Sequence, residues 1–206
     1  GTLLIVFFRA AAAPGTITFT GYNSLADDSS DASDDTTRVF WRWADGTEGA
    51  TDTLSTTNSV KSCAICWEVT GAENEAPNIS TVNVGTISIN TAQSNSVAPV
   101  SAPQDTLYIS MAAGDGEVRP YTEGPTNYGN VATANSGTGG LAATNCFMGG
   151  ASRQITASSS DDAGVFTHAA HTTGWTAFAV AIRETTVVAT EDPMPYVGGG
   201  YYPTEG

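Results

Sequence analysis

The segment WTAFAVAIR, residues 175–183, carries the clearest structural signal in the chain. Phe178, Val180 and Ile182 alternate with alanines, so one face of the segment is bulky and the other is small. Successive side chains of a β-strand point to opposite faces, which gives a period of two residues. The segment therefore predicts a β-strand whose bulky face packs against a core.

The same alternation recurs in three more segments: RVFWRWA at 38–44, SCAICWEV at 62–69 and TLYISMA at 106–112. The residues that share the predicted inward face are Val39, Trp41, Trp43, Cys63, Ile65, Trp67, Val69, Leu107, Ile109 and Met111. Shorter strands are predicted at 17–20 and near 50–55, 84–90, 118–122, 142–148 and 153–157. No segment has the apolar stripe of an amphipathic helix, so no helix is predicted.

Turn signals separate these strands. Asp-Gly pairs at 45–46 and 115–116 predict hairpin turns. About eight to ten short strands with Gly- and Pro-containing loops between them are typical of an all-β protein. We therefore predict a single antiparallel β-sandwich of jelly-roll type over residues 1–184. No internal repeat is apparent in the sequence.

The first strand-like segment, TLLIVFFR, is apolar on both faces. Alternate residues from Leu3 to Phe7 form one face, and Leu4, Val6 and Phe8 form the other. Such a strand is buried on both sides within its own chain or is covered by a neighbouring chain. We expect Leu4, Val6 and Phe8 to contribute to an assembly interface, for which strand exchange between subunits is one route.

Residues 185–206 follow the last strand and carry three prolines, four glycines and three tyrosines without a hydrophobic period. Such a segment does not build a core of its own. The alternatives are disorder and an extended assembly arm. In an arm, the anchors on a neighbouring subunit are predicted to be Tyr196, Val197, Tyr201 and Tyr202.

The net charge of the chain limits the kinds of partner that it is expected to bind. The 206 residues carry 21 acidic and 7 basic side chains, a formal net charge of −14. Nucleic acids and anionic membranes are bound by clustered cations, so we expect neither as a partner. The chain lacks an initiator Met and its first residues are too few for a signal peptide, so we expect the sequence to begin inside a longer gene product.

The candidate metal ligands are the aspartates of the acidic, Ser-rich segment 24–36, namely Asp27, Asp28, Asp31, Asp34 and Asp35. Calcium takes about six to eight oxygen ligands, of which carboxylates supply several. The EF-hand pattern is absent from this segment. A weak calcium site and a solvated acidic loop are therefore the alternatives, and no cofactor is predicted.

The cysteines and histidines are interpreted as structural. Cys63 and Cys66 have CxxC spacing, but on a strand they point to opposite faces, and no second pair completes a zinc site. His168 and His171 lack a third ligand and the HExxH pattern. With Cys146 the cysteine count is odd and fits no disulfide framework. Because no nucleophile elbow, P-loop or dinucleotide motif occurs either, no enzymatic activity is predicted.

Aromatic residues in loops raise the alternative of glycan binding. Tyr121, at the end of the short strand predicted near 118–122, and Tyr128, in a predicted loop, are with the aspartates of 27–35 the candidates for a sugar site. Trp175 opens its strand on the small-residue face, whereas the other three tryptophans lie within strands and are assigned to the core. The single sequon at Asn78 carries no weight in a chain so rich in Ser and Thr.

Three parts of the chain together resemble a known family: VFWRWADGTEGATDTLS, VKSCAICWEVTGA, and the pair APQDTLYISMAAGDG and AGVFTHAAHTTGWTAFAVAIRE. In this order they resemble a β-sandwich domain in structural proteins of tailed bacteriophages and related prophages. The resemblance covers roughly residues 1–184 and consists of turns and core aromatics. Cys63 and Cys66 stand where that family commonly has small aliphatic residues.

The resemblance implies a place in a virus particle rather than a chemistry. We expect a non-enzymatic virion protein on the outer surface of the phage particle, of the head-decoration type. Its expected partners are copies of itself and other virion proteins such as the major capsid protein. The alternatives are a tail or appendage protein and a module that binds host-surface glycans.

Overall fold

The structure is a computed structural model of the chain and describes residues 1–28, 36–47, 51–85, 91–115, 121–137, 145–167 and 174–185. These ranges contain fourteen strands and no helix, so they include none that could span a membrane. The strands are β1 (Thr2–Ala10), β2 (Ile17–Phe19), β3 (Asn23–Asp28), β4 (Thr36–Ala44), β5 (Leu54–Thr56), β6 (Ser62–Thr70), β7 (Asn78–Ile79), β8 (Asn83–Gly85), β9 (Thr91–Gln93), β10 (Gln104–Asp115), β11 (Gly129–Asn135), β12 (Cys146–Ser158), β13 (Val165–Thr167) and β14 (Trp175–Arg183).

Two antiparallel sheets form the body of the fold. The first sheet has the order β3-β4-β1-β6, and the second has the order β11-β12-β10-β14, with β7 and β8 along the outer edge of β14. The predicted all-β antiparallel sandwich is confirmed. The strand order does not identify it as a jelly roll, because the four main strands of the first sheet all end by Thr70 and the four main strands of the second all begin at Gln104 or later.

The alternating apolar residues of the sequence meet between the two sheets. One buried cluster joins residues such as Ile5 and Ile65 of the first sheet to Ile109 and Phe178 of the second. Every residue for which alternation predicts an inward side chain belongs to this cluster or packs against it. Burying a large apolar side chain contributes about 1.5–3 kcal/mol, so this cluster is the main stabilising feature of the fold.

A short outer layer, β2 paired with β5, covers the first sheet on its other face. Its side chains Ile17, Phe19 and Leu54 pack against Val6 and Phe8 of β1. The two apolar faces of β1 are thereby explained: of the two predicted alternatives, burial within the same chain is the one observed.

The expected interface role of β1 needs correction. Val6 and Phe8 are 6% and 4% exposed, so they offer almost no surface to a second copy, whereas Leu4 is half-buried. β1 also pairs along its whole length with β4 on one side and β6 on the other. Both edges of β1 are thus paired within its own chain.

The strand order is the same in the two sheets, although the sequence shows no repeat. Counted along the chain, the main strands of each sheet lie in the order second, third, first, fourth. The registers match as well. Nine pairs join β1 to β6, beginning with Thr2 opposite Thr70, and nine pairs join β10 to β14, beginning with Thr106 opposite Arg183.

The irregularities of the two sheets also coincide. The edge strand β3 has a bulge between Ser24 and Ala26, and β11 has one between Gly129 and Ala132, opposite corresponding positions of β4 and β12. A bulge is a specific local feature that is set by the sequence. Its recurrence at the same place indicates that the two sheets are copies of one four-stranded unit.

The turn that leads into each edge strand is repeated too. Gly21, with φ of +82°, precedes Tyr22, and Asn127, with φ of +66°, precedes Tyr128. Each tyrosine N–H donates to the carbonyl three residues earlier, at 3.2 and 3.0 Å. Glycine and asparagine are the residues that adopt this left-handed conformation most readily.

The predicted hairpin at 45–46 is not formed. Its flanking strands β4 and β5 belong to different layers and do not pair with each other. Gly46 has φ of +83°, and the Asp45 carboxylate accepts a hydrogen bond from the Thr47 N–H at 2.8 Å, which makes a local turn. The second Asp-Gly pair includes Gly116, which lies outside the described residues.

Two other predictions change in their boundaries. Residues 146–148 of the first segment and the segment near 153–157 are parts of one long strand, β12, because its two central glycines, Gly149 and Gly150, remain in the ladder opposite β10. The start of the acidic segment is not a loop but the edge strand β3.

Candidate functional site

A polar cluster lies beside the outer layer of the first sheet. The Tyr22 hydroxyl donates to Asp52 Oδ2 at 2.9 Å, and the Arg42 guanidinium binds the same oxygen at 3.1 Å. The Tyr22 ring stacks on Phe19 with centroids 3.8 Å apart, and Arg42 lies 4.7 Å from its centroid. Burial and the hydrogen bond to Asp52 raise the pKa of Tyr22 to about 12.

The second sheet carries the same cluster at corresponding positions. The Tyr128 hydroxyl donates to Asp161, and Arg153 forms an ion pair with Asp161 at 3.4 Å. Burial and the hydrogen bond to Asp161 raise the pKa of Tyr128. The first cluster ties Asp52, which lies just before β5, to strand β4, and the second ties Asp161 to strand β12, so the first role of both clusters is structural.

An open groove of about 490 Å³ adjoins the first cluster. Its wall is mostly apolar and includes Val6, Phe8, Phe19, Leu54 and Ala64. The groove lies between the outer layer and strand β6, on the face of the first sheet that points away from the core. An apolar groove beside a strand is suited to an extended peptide, which supplies main-chain hydrogen bonds and small side chains.

The edge strand β11 is the other exposed feature. Its seven residues, Gly129–Asn135, include no charged residue and no proline. Ala132 and Ala134 pack toward the core, whereas Val131 is 49% exposed on the outer face. Within the described ranges, no strand pairs with the free edge of β11. Sequence reasoning missed this strand because its residues are small and polar and give no hydrophobic alternation.

The predicted glycan-binding residues are not placed for that role. Tyr121 is 4% exposed and packs against Phe147 and Phe166, so its ring faces are unavailable to a sugar. Tyr128 is half-buried and bonded to Asp161. Trp175 is buried, as the core alternative requires.

Of the five aspartates predicted as calcium ligands, two lie within the described residues. Asp27 lies in β3, and its carboxylate forms an ion pair with the Arg38 guanidinium at 2.6 Å, so its negative charge already has a partner in the fold. Asp28 is the last residue of β3, while Asp31, Asp34 and Asp35 lie outside the described residues, as do His168 and His171. Among the residues that the structure describes, no three His, Cys, Asp or Glu side chains are grouped to hold a metal ion.

The cysteines separate into a buried pair and an exposed thiol. Cys63 and Cys66 point to opposite faces of β6, as the spacing predicts, and Cys63 Sγ lies 3.4 Å from Cys146 Sγ between the two sheets. The contact with Cys146 and burial raise the pKa of the Cys63 thiol. Partial burial and the carboxylates of Asp52 and Glu68 raise the pKa of Cys66. A thiol with a raised pKa is almost entirely protonated at neutral pH, and it is a poor nucleophile because the thiolate is the reactive form.

The arginines of the described ranges all serve the fold. Each of them forms an ion pair with a carboxylate: Arg9 with Asp115, Arg38 with Asp27, Arg42 with Asp52, Arg153 with Asp161, and Arg183 with Glu73 and Glu75. Arg9 is fully buried and also donates to Thr37 and Thr176, at 2.8 and 3.3 Å, which joins the first sheet to the second. Breaking such a buried pair costs about 3–5 kcal/mol.

Comparison of the chain with protein-family models, with curated proteins and with solved structures gives no match.

The sequence predicted seven interface residues, and the structure describes three of them. Val6 and Phe8 line the groove from beneath, Leu4 lies on the same face of β1, and the four residues of the tail lie outside the described ranges. The groove itself and the bare edge of β11 were not foreseen. The Thr-x-Tyr pattern at 20–22 recurs at 126–128, and it is the signal in the sequence that marks the two turns leading into the edge strands β3 and β11.

Proposed function

We propose that the protein is a non-enzymatic structural protein of a bacteriophage particle, an outer capsid decoration protein that stabilises the particle through symmetric contacts. The observation that carries the proposal is the outer edge of β11, with which no strand of the described ranges pairs. Natural β-proteins usually protect an edge strand with charged residues or proline. An unprotected edge fits a β-strand of another protein chain.

The partner that best fits this edge is a second copy of the chain. An antiparallel pair of β11 strands brings the same surface patch of two subunits together, which is the geometry of a twofold contact. The regular part of the ladder, from Ala132 to Asn135, follows the bulge and is free of charge repulsion. Contacts to other virion proteins, such as the major capsid protein, are proposed for the outer faces of the sheets.

Two further observations support a structural role. The arginines of the described ranges are engaged in internal ion pairs, so these cations hold the fold together. The setting in a virion rests on the resemblance of three parts of the chain to phage β-sandwich proteins.

Immunogold electron microscopy on purified phage particles tests the proposal, with an antibody against this chain and a pre-immune serum as control. We expect regular label over the head. Label confined to the tail would replace decoration by a tail or adhesion role, and particles without label would contradict the virion assignment.

A further inference from the structure

Two cysteines, one from each sheet, meet between the two sheets. Cys63 is the second residue of β6, and Cys146 is the first residue of β12. Their sulfur atoms lie 3.4 Å apart, and both side chains are buried. Close by, the Lys61 ammonium donates a hydrogen bond to Asn145 Oδ1 at 2.7 Å. The starts of β6 and β12 are thus held side by side.

The strands beside this pair are joined by a second contact between the sheets. Cys63 lies opposite Arg9 of β1, and Cys146 lies opposite Asp115 of β10. Arg9 and Asp115 form an ion pair at 3.6 Å. The Cys146 thiol also donates to the Arg9 carbonyl at 3.5 Å. The positions of the two thiols are therefore set by strands that are paired and linked across the sandwich.

The distance between the two sulfur atoms is close to that of a disulfide bond. Such a bond is about 2.05 Å long, so atoms that lie 3.4 Å apart must approach each other by about 1.4 Å. Rotation of a cysteine side chain about its Cα–Cβ bond moves the sulfur atom while the backbone stays in place. Closing a bond between Cys63 and Cys146 thus requires side-chain rotation rather than a rearrangement of the strands.

The third cysteine lies on the other side of the first sheet. Cys66 is three residues after Cys63 on the same strand, so its side chain points to the opposite face. It is exposed, whereas Cys63 and Cys146 are buried. A bond from Cys66 to either of the other two would have to pass through the sheet. Of the three pairings that three cysteines allow, the fold therefore favours one.

The surroundings of the pair determine when a bond can form. The contact with Cys146 and burial raise the pKa of the Cys63 thiol. Because the thiolate is the form that attacks a disulfide, the folded and reduced pair exchanges slowly at neutral pH. A thiol that is exposed in an unfolded chain has an ordinary pKa of about 8.5 and reacts readily. Oxidation is therefore expected to accompany folding, after which burial shields the bond from reductants.

We propose that Cys63 and Cys146 form a disulfide that links the two sheets when the chain folds in the presence of a small-molecule disulfide such as oxidised glutathione. The thiolate of one cysteine attacks a sulfur atom of the oxidant, whose S–S bond breaks, and one glutathione thiolate leaves. The thiolate of the other cysteine attacks the first cysteine's sulfur in this mixed disulfide, and the second glutathione thiolate leaves. Two cysteine thiols are oxidised, one oxidised glutathione is reduced to two thiols, and the two thiol protons pass to these products.

The disulfide joins the two copies of the four-stranded unit across a long stretch of chain. Cys63 and Cys146 are 83 positions apart in the sequence. A cross-link that closes a long loop restricts the unfolded chain more than one that closes a short loop. We therefore expect the oxidised protein to resist unfolding better than the reduced protein. The inference is independent of the proposed function, because the bond depends on the contact between the sheets and not on a partner.

Differential labelling of the full-length wild type tests the pairing. The reduced protein is unfolded in urea and refolded at about pH 8, near the ordinary pKa of a thiol, with reduced and oxidised glutathione. Free thiols are alkylated with one reagent, and the thiols released by later reduction are alkylated with another. We expect fragment spectra to show the first label on Cys66 and the second label on Cys63 and Cys146. The intact mass is expected to show the loss of two hydrogens and no added glutathione.

Two results would overturn the pairing. One is the first label on all three cysteines, and the other is an internal bond that includes Cys66. Cys146→Ser is the matched control and is expected to contain no internal bond. Where refolding from the unfolded state is inefficient, native protein kept in the same buffer at its urea midpoint folds and unfolds repeatedly and gives the same comparison.

Urea unfolding tests whether the bond fits the native fold. The Cys66→Ser variant keeps the buried pair and removes the exposed thiol, so its oxidised and reduced forms differ at one place only. We expect the urea midpoint of the oxidised form to be higher by about 1 M, and the difference to vanish in Cys66→Ser/Cys146→Ser. An oxidised form whose midpoint equals or falls below that of the reduced form would contradict a disulfide that the native contact accommodates.

Discussion

The Tyr22 hydroxyl links the stability of the outer layer to pH. Its pKa is raised from 10.0 to about 12, so between these values the unfolded chain loses the proton while the folded chain keeps it. The unfolded state then binds fewer protons, and the free energy of unfolding falls as the pH rises from 10 to 12. Below pH 10 both states are protonated and the contribution is constant.

Replacing Tyr22 by phenylalanine tests whether Tyr22 causes the loss of stability at high pH. In Tyr22→Phe we expect a smaller decrease in the urea midpoint between pH 9.5 and 11.5 than in the wild type, in addition to a constant loss from the missing hydrogen bond to Asp52. Parallel pH profiles for the two proteins would show that Tyr22 does not titrate in this way.

The left-handed residue in the turn after β4 and its counterpart near the end of β12 give a paired test. Gly46 and Ala157 occupy equivalent positions, with φ of +83° and +50°. A Cβ on Gly46 would meet no atom within 4 Å, so Gly46→Ala changes only the backbone preference and is expected to cost about 1 kcal/mol. Ala157→Gly relieves the same strain and is expected not to lower stability. Urea unfolding that shows equal losses in both variants would contradict the equivalence of the two turns.

Strand β8 pairs with β14 at the edge of the second sheet and makes one especially close contact there. The Trp175 indole lies against Gly85, and a Cβ at this position would come within 2.2 Å of its nitrogen. Because the indole is buried, Gly85→Ala must displace it, and we expect a loss of about 1–3 kcal/mol in the free energy of unfolding. Gly129→Ala is the control, since nothing lies within 4 Å of a Cβ there. Similar thermal unfolding of both variants would show that β8 is not held by this contact.

The strands that alternation predicted are those that face the core. Segments such as 38–44 and 175–183 present large apolar residues at every second position, because one face of each is buried between the sheets. The edge strands β3 and β11 escaped prediction, since they consist mostly of small and polar residues and each contains a single large apolar one, Leu25 in β3 and Val131 in β11. A period-two signal requires a contrast between the faces, which these strands lack.

At the scale of the whole molecule, the structure contains a duplicated four-stranded unit that the sequence does not show as a repeat. Few residues match between the two units, among them Leu3 with Leu107 and Arg42 with Arg153. Many different apolar residues satisfy the same buried position, so a fold can repeat while its sequence does not. The candidate contacts were hidden for the same reason: the groove and the free edges depend on which strands lie side by side, and alternation does not report that.

The edge of β11, which is unpaired among the described residues, predicts how whole subunits associate. Sedimentation velocity over a range of concentrations compares the wild type with Val131→Lys, which places a charge on this edge. The control is Val165→Lys, the same change at a residue that is 40% exposed on β13, a strand already paired with β9. We predict that the wild type and Val165→Lys form dimers or larger species and that Val131→Lys associates about ten-fold more weakly. A wild type that stays monomeric at every concentration, or a Val131→Lys variant that associates as the wild type does, would contradict the account.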